Sequence, residues 1–147
     1  IALAPFNKNN INNLFDGIVC SIEIVDFRFN KPIDKIGPYN IIASNGASDY
    51  WIRHENIYPL NVINLENHEV KLFVDSKIHF EGNTNNVLEN PLNAALWLIN
   101  KLASQGEPML KGQFISTGSC TKALKLDKGM HIQAEFGKLG SIEFDYI

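Results

Sequence analysis

The feature that most constrains this chain is its last third, where short alternating runs are cut by glycine turns. In Met130–Phe136, the residues Ile132, Ala134 and Phe136 alternate with His131, Gln133 and Glu135. In Ser141–Tyr146, Ile142, Phe144 and Tyr146 alternate with Ser141, Glu143 and Asp145. A period of two puts one set on a buried face and the other on a wet one, the pattern of a half-buried strand. A third apolar run, Phe114–Ser116, and turns at Gly112, Asp127-Lys128-Gly129 and Gly137 to Gly140 complete the pattern. The stretch 110–147 therefore predicts one β-rich unit. Within it lies Ser116-Thr117-Gly118-Ser119-Cys120-Thr121, a loop of hydroxyls around one glycine. Such a loop can offer N–H and O–H donors to an anion, because glycine lets the backbone approach a ligand. The plainer alternative is a hairpin connection with solvated hydroxyls.

Upstream, Ile18–Phe29 is rich in β-branched and aromatic residues and predicts a strand. Glu23 and Asp26 interrupt it. Three positions apart, they face opposite sides of a flat strand, and a carboxylate facing a core is costly unless it pairs or binds a cation. Arg28 is the expected partner of Asp26. The step Asn40-Ile41-Ile42-Ala43 runs into Ser44-Asn45-Gly46-Ala47-Ser48, a cluster of small polar residues that marks a tight loop. Further strands are expected at LNVINL (60–65), EVKLFV (69–74) and KIHF (77–80), with turns at Glu66-Asn67-His68 and Asp75-Ser76-Lys77. Asn10–Phe15 predicts a short helical turn after a loop at Pro5–Asn9, and Pro32, Gly37 and Pro38 predict turns. One main helix is expected over 91–103. Asn90 suits its N-cap, Pro91 its first position, and Leu92, Ala95, Leu96, Ile99, Leu102 and Ala103 its buried face. Gly106 and Pro108 stop it. His54 reads as a surface histidine, and His68 and His79 share no spacing with an acid cluster.

Hydrophobic residues make up 45% of the 147 and charged residues 20%, so one domain with a real core is expected. A net charge of −3 gives no basic field for nucleic acid or an anionic membrane. No apolar run is long enough to cross a bilayer, and no basic-then-apolar signal opens the chain. Cys20 and Cys120 lack metal spacing and read as reduced thiols of a cytoplasmic protein. The chain opens on Ile1 rather than Met, so further sequence is expected upstream.

Several of these motifs, in order, resemble the 2-keto-4-pentenoate hydratase family, the hydratase/decarboxylase branch of the fumarylacetoacetate-hydrolase superfamily. Ser21-Ile22-Glu23-Ile24-Val25-Asp26-Phe27-Arg28 is similar to the family's A-L-E-I-V-D-S-R. Ala43, Asn45 and Ser48 match V-A-D-N-x-S-S, with Ser44 in place of the aspartate, and Asp49–Ile52 resembles the short aromatic strand that follows. Asn90–Leu102 follows H-P-L-N-A-L-A-W-L-A-N-x-L. Thr117-Gly118-Ser119, Thr121, Ala123, Gly129 and Phe136–Ser141 match the family's closing segment. Gln113 and Lys122 depart from it, where Asp and Gly are expected. The likeness runs from about Ile18 to Tyr146.

The resemblance implies an α+β, mostly β fold, with a mixed sheet rolled into a barrel-like core and the one main helix packed outside it. It implies a single domain over 1–147 that is the C-terminal part of a larger hydratase-type catalytic domain. The implied activity is metal-dependent addition of water to a 2-hydroxy-2,4-dienoate, through its 2-oxo-4-enoate tautomer, to give a 4-hydroxy-2-oxo acid. Decarboxylation of a 2-oxo-3-enedioate and a catalytically incomplete binding subunit are the alternatives. Glu23 would be one ligand of Mg²⁺ or Mn²⁺. Ser48, Asn45, Thr117, Gly118 and Ser119 would bind the substrate, a small 2-oxo acid. The family's Glu-x-Glu metal pair and its proposed lysine acid/base would lie upstream, so no catalytic acid/base is assigned here. A homo-oligomer or a complex with a family paralogue is expected, and a place in aromatic-compound catabolism.

Overall fold

The computed structural model describes residues 6–7, 9–26, 28–31 and 35–147. The expected loop at Pro5, the turn at Pro32 and Phe27 of the expected first strand lie outside them. Among the described residues the chain runs β1 (Ser21–Val25), α1 (Pro38–Ala43), β2 (Ser48–Arg53), β3 (Glu69–Val74), β4 (Lys77–Asn83), α2 (Pro91–Ser104), β5 (His131–Glu135) and β6 (Ser141–Asp145). Short 3₁₀ turns at Ile11–Asn13, Asn45–Ala47, Thr84–Asn86 and Gly137–Leu139 lie between them. No helix among the described residues is long and apolar enough to cross a membrane.

The strands form two sheets. β1 pairs with β2, and the other four pair in the order β4-β3-β5-β6. Every described pairing is antiparallel, so the sheet is not mixed. The expected barrel is not found either. β4 and β6 each pair on one side only, and no described sheet closes. Four strands are too few, since closing a sheet around its side chains takes about eight.

The alternation in the last third acts as expected. Leu72 pairs with Ala134 and Ala134 with Ile142, while Val74 pairs with Ile132 and Ile132 with Phe144. These residues share one face, and Val70, Ile132, Ala134 and Ile142 on it are buried. The opposite face carries Lys71, flanked by Glu69 at 3.3 Å and Glu81 at 3.7 Å. The β3–β4 connection is the expected tight turn. Asp75 and Ser76 both take positive φ, 48° and 65°, as a two-residue hairpin loop of primed type requires.

α2 spans Pro91–Ser104, and the Asn90 side chain accepts from the Leu92 N–H as the expected N-cap. Ala95 and Ile99 are buried. Asn100 accepts from the Phe6 N–H at 2.7 Å and donates to the Phe6 carbonyl at 3.0 Å. On its other side, Leu98 and Leu102 face Trp51 of β2 and the 109–114 segment across an open groove of about 470 Å³.

Three local expectations fail, each for a reason visible in the chain. LNVINL is not a strand. The Val62 N–H bonds back to the Pro59 carbonyl at 3.1 Å, and the Asn64 side chain accepts from the Glu66 N–H at 3.0 Å. Asparagine side chains offer the backbone a turn in place of a ladder. Val62 and Ile63 still pack on a core cluster of Cys20, Leu139 and Ile142. Phe114–Ser116 is not a strand, and Phe114 instead packs on Trp51. Pro38, expected in a turn, instead opens a short helix over Pro38–Ala43. The first strand is also shorter than expected. A bulge interrupts it at Ile24/Val25, and Ile18 forms only an isolated bridge with Tyr58.

Two consequences can be measured. A Cβ on Gly82 would lie 2.1 Å from the Cys120 carbonyl oxygen, a backbone atom that cannot turn aside. Gly82→Ala should therefore cost about 1–3 kcal/mol in urea unfolding, and an unchanged midpoint would exclude the close approach. His131 Nδ1 lies 2.8 Å from Asp145 Oδ1, and Glu143 and Asp75 lie nearby. The hydrogen bond to Asp145 holds the His131 pKa above its ordinary value, partial desolvation opposing and the neighbouring carboxylates adding. A histidine whose folded pKa is raised contributes stability that is complete below the unfolded pKa, about 6.5, and fades as pH rises through the folded pKa. The wild type should thus lose more stability than His131→Gln between pH 6 and pH 8. Parallel pH profiles would contradict this.

Candidate functional site

β1 and β2 carry the expected metal ligand and one expected substrate residue. Glu23 is exposed on β1, directly opposite Trp51 on β2. Cross-strand partners share a face, so Glu23, Trp51 and Arg53 (opposite Ser21) all project from the same side. The other side holds Ile22 and Ile52, which pack against Cys20, Leu139 and Ile142. Phe114 lies on the Glu23 side. Its ring centroid is 5.3 Å from that of Trp51, and the Arg53 guanidinium carbon is 5.0 Å above it.

Ser48 opposes Val25 at the bulge that starts β2, and it follows a strained turn. Asn45, Gly46 and Ala47 all take left-handed φ, at 56°, 67° and 64°. Glycine does this freely and asparagine tolerates it, but alanine pays about 1–2 kcal/mol. Ala47 is also 1% exposed, so its Cβ is packed in. Three bonds fix the turn. The Ala47 N–H donates to the Ser44 carbonyl at 3.1 Å and the Asp26 N–H to the Ala47 carbonyl at 2.8 Å. Ser44 Oγ donates to the Ile41 carbonyl at 2.9 Å.

Arg28 clamps the same turn. Its two terminal nitrogens donate to the Ser44 carbonyl at 3.0 Å and the Ser48 carbonyl at 2.9 Å. Its ion pair is with Asp49, at 3.7 Å. The expected Asp26–Arg28 pair is therefore replaced by Asp49–Arg28. Asp26 itself is exposed. Sequence reasoning saw the arginine but not its clamp, because the two carbonyls it bridges give no side-chain signal.

Thr117, Gly118 and Ser119 sit elsewhere. Gly118 takes φ 137°, and a Cβ there would lie 3.1 Å from Val87. The Cys120 carbonyl accepts from the Asn86 side chain at 2.7 Å and from the Asn83 N–H at 3.2 Å. The loop is thus pinned to the end of β4. Among the described residues no hydrogen bond or ion pair joins it to Glu23, Asn45 or Ser48. Its link to them is Phe114, upstream on the same connector. Gln113, one of the departures, accepts from the Leu110 N–H at 2.6 Å, and Lys122 is exposed.

The donor set decides what the site can hold. Glu23 is a hard oxygen donor of the kind Mg²⁺ takes. Among the described residues, however, no three His, Cys, Asp or Glu side chains gather as a metal site. One carboxylate does not fit the ion by itself, so the remaining ligands must come from outside these residues. Neither cysteine is activated as a thiolate by its surroundings. Burial pushes the Cys20 thiol up to about 12, with Cys120 adding, and burial raises Cys120 as well. Both are unpaired, as expected of reduced thiols. The larger groove, about 720 Å³ beside Asn61–Asn64, lies away from Glu23. Its polar groups satisfy one another, with His68 Nε2 2.8 Å from the Phe136 carbonyl and Lys71 between two glutamates. His54 is half-buried. Its ring touches the position a Cβ on Gly140 would take, and its Nδ1 accepts from the Asn56 N–H at 3.1 Å.

Known proteins give this geometry a context. No family profile matches the chain. It is 28% identical over 133 residues to a 4-oxalocrotonate decarboxylase of Pseudomonas putida, covering 90% of this chain and 49% of that protein. It is 27% identical over 128 residues to a 2-keto-4-pentenoate hydratase of Paraburkholderia phymatum, covering 87% and 48%. The solved 4-oxalocrotonate decarboxylase from Pseudomonas putida G7, complexed with magnesium and adipate, superposes with a TM-score of 0.80 at 28% identity, covering 88% of this chain and 48% of that one. This chain is homologous to the 2-keto-4-pentenoate hydratase and 4-oxalocrotonate decarboxylase family. It spans about half the length of the relatives it matches. A 2-oxo-hept-4-ene-1,7-dioate hydratase of Escherichia coli is a further homologue, 25% identical over 142 residues, covering 94% of this chain and 53% of that protein.

The clamp can be tested directly. Arg28→Ala should speed amide exchange at Ala47 about tenfold and cost about 1 kcal/mol, a value discounted for the half-exposed guanidinium. Arg28→Lys should not restore protection, because one ammonium cannot reproduce a fork across two carbonyls. Exchange unchanged in Arg28→Ala would show that the turn holds itself.

Proposed function

We propose that this chain is the C-terminal part of a hydratase-type lyase. The reaction adds water to a 2-oxo-4-enoate, the tautomer of a 2-hydroxy-2,4-dienoate. The hydroxyl goes to C4 and a proton to C5, giving a 4-hydroxy-2-oxo acid. The observation that carries this reading is the likeness, along most of this chain, to relatives named as hydratases. Two of the named homologues are hydratases of this type.

On this reading Glu23 supplies one carboxylate to a Mg²⁺ or Mn²⁺ ion, which when bound polarises the 2-oxo acid as a Lewis acid. Residues outside those described complete the ligand set. Ser48 and Asn45, held by the strained turn and Arg28, receive the carboxylate end of the substrate. Thr117, Gly118 and Ser119 contribute donors from the connector. A barrel-like closure would require strands beyond those described. The protein would be cytoplasmic, act in aromatic-compound catabolism, and assemble as a homo-oligomer or with a paralogue. Decarboxylation of a 2-oxo-3-enedioate is the second reading, favoured by the two solved decarboxylase structures that match the fold. Trapping of released CO₂ separates the two.

Mn²⁺ titration followed by EPR tests the shared premise, with oxalate as a mimic of the 2-oxo acid head. Micromolar binding that tightens with oxalate and falls at least tenfold in Glu23→Ala is expected. Binding indifferent to Glu23 would remove Glu23 from the metal site, and no binding would mean that this polypeptide alone is not the catalyst.

A further inference from the structure

The chain contains a single Asn-Gly step, Asn45-Gly46. It lies on the turn before β2, and both residues are exposed. Elsewhere in the fold asparagine side chains are tied down. Asn40, Asn64, Asn83, Asn86, Asn90 and Asn100 each hold a side-chain hydrogen bond. Among the described residues the Asn45 side chain holds none. The Gly46 N–H donates to no acceptor there either, although the next two N–H groups do. That of Ala47 donates to the Ser44 carbonyl at 3.1 Å, and that of Ser48 to the Asn45 carbonyl.

A free side-chain amide followed by a free backbone N–H is the pair that can cyclise, which is one reason asparagine is thermolabile. Glycine puts no side chain in the way of its own nitrogen. A Cβ at Gly46 would meet nothing within 4 Å, so the approach is also open from outside. The turn itself opposes the reaction. Ring closure swings the Gly46 nitrogen toward Asn45 Cγ by rotation about the Asn45 Cα–C bond, and that rotation moves the Gly46 peptide. The Arg28 bonds to the Ser44 and Ser48 carbonyls hold the segment on either side of it.

We propose that Asn45 is a site of spontaneous deamidation whose rate is held down by the Arg28 clamp. The Gly46 nitrogen gives its proton to hydroxide and attacks Asn45 Cγ. A C–N bond closes a succinimide ring, the Cγ–Nδ2 bond breaks, and the leaving nitrogen takes a proton from water and departs as ammonia. Water then opens either ring carbonyl. One product is aspartate at position 45, and the other is an isoaspartyl link that routes the backbone through the side chain. No electrons are transferred. Both products place a carboxylate on the turn, and the isoaspartyl link also lengthens the backbone by one methylene between the two clamped carbonyls. Ser48 then loses the position that the clamp gives it. Nothing in this chemistry depends on the Glu23 reading.

The test ages the chain at pH 6 and pH 8 and follows it by peptide mass spectrometry, with isoaspartyl methyltransferase labelling the rearranged link. Asn45 should deamidate at least tenfold faster than Asn86, and faster at pH 8 than at pH 6, as a deprotonated amide nucleophile requires. Arg28→Ala should raise the Asn45 rate at least threefold relative to Asn86 in the same sample, a ratio that general unfolding would not produce. Chain enriched in the isoaspartyl link should show faster amide exchange at Ala47, a local opening that Asn45→Asp, with its normal backbone, should not reproduce. An Asn45 rate no greater than that of Asn86, or one indifferent to pH, would overturn the site. A ratio unchanged in Arg28→Ala would overturn the control by the clamp.

Discussion

A two-stranded sheet is marginal in water by itself, so the β1–β2 pair depends on what covers one of its faces. Ile22 and Ile52, cross-strand partners, pack onto Cys20, Leu139 and Ile142. Ile142 belongs to β6, so this cluster joins the small sheet to the large one. Because side chains alternate, burying Ile22 and Ile52 obliges Glu23, Trp51 and Arg53 to point outward. A one-residue slip in β1 would turn Glu23 into the apolar cluster, at a cost of several kcal/mol for an unpaired carboxylate. The core thus fixes the direction of the candidate metal ligand more firmly than any contact Glu23 makes itself.

The turn before β2 shows how a second candidate residue, Ser48, is positioned. Ala47 in a left-handed conformation costs about 1–2 kcal/mol, and no glycine replaces it. Offsetting this are the burial of its methyl group and the Arg28 bonds to the carbonyls on either side. Each of those bonds is partly exposed and contributes about 1 kcal/mol after screening. The two sides are of similar size. Ser48 is therefore held by a balance that depends on Arg28.

What the sequence disclosed follows the range of the forces involved. β5, β6, the Asp75-Ser76 turn and α2 with its Asn90 cap were legible because each is specified by residues within a few positions. The failures involve distant partners. LNVINL has strand composition, but its asparagines close turns locally and its apolar residues find a core without a ladder. Phe114 reads as the start of a strand and instead packs on Trp51, more than sixty positions away. The expected barrel came from resemblance alone, and closure is a property of a whole sheet that no segment announces. Of the expected site residues, Glu23 and Ser48 lie in one β1–β2 unit, whereas Thr117-Gly118-Ser119 is pinned to the end of β4.

The two faces that carry charge differ in kind. On the four-stranded sheet, Lys71 stands between Glu69 and Glu81, and the field around it cancels at short range. On the β1–β2 pair, Glu23 and Arg53 are diagonal neighbours, yet no ion pair joins them among the described residues. The Arg53 side chain lies over Phe114 instead of reaching across. An exposed Glu–Arg pair contributes less than about 1 kcal/mol, and a cation–π contact at such a site contributes a similar amount. So small a difference lets the packing of Phe114 on Trp51 decide where the guanidinium rests. Opposite charges held apart by an aromatic wall form a dipolar surface, with one end suited to a cation and the other to an anion. A face whose charges had already paired would have nothing left to offer either.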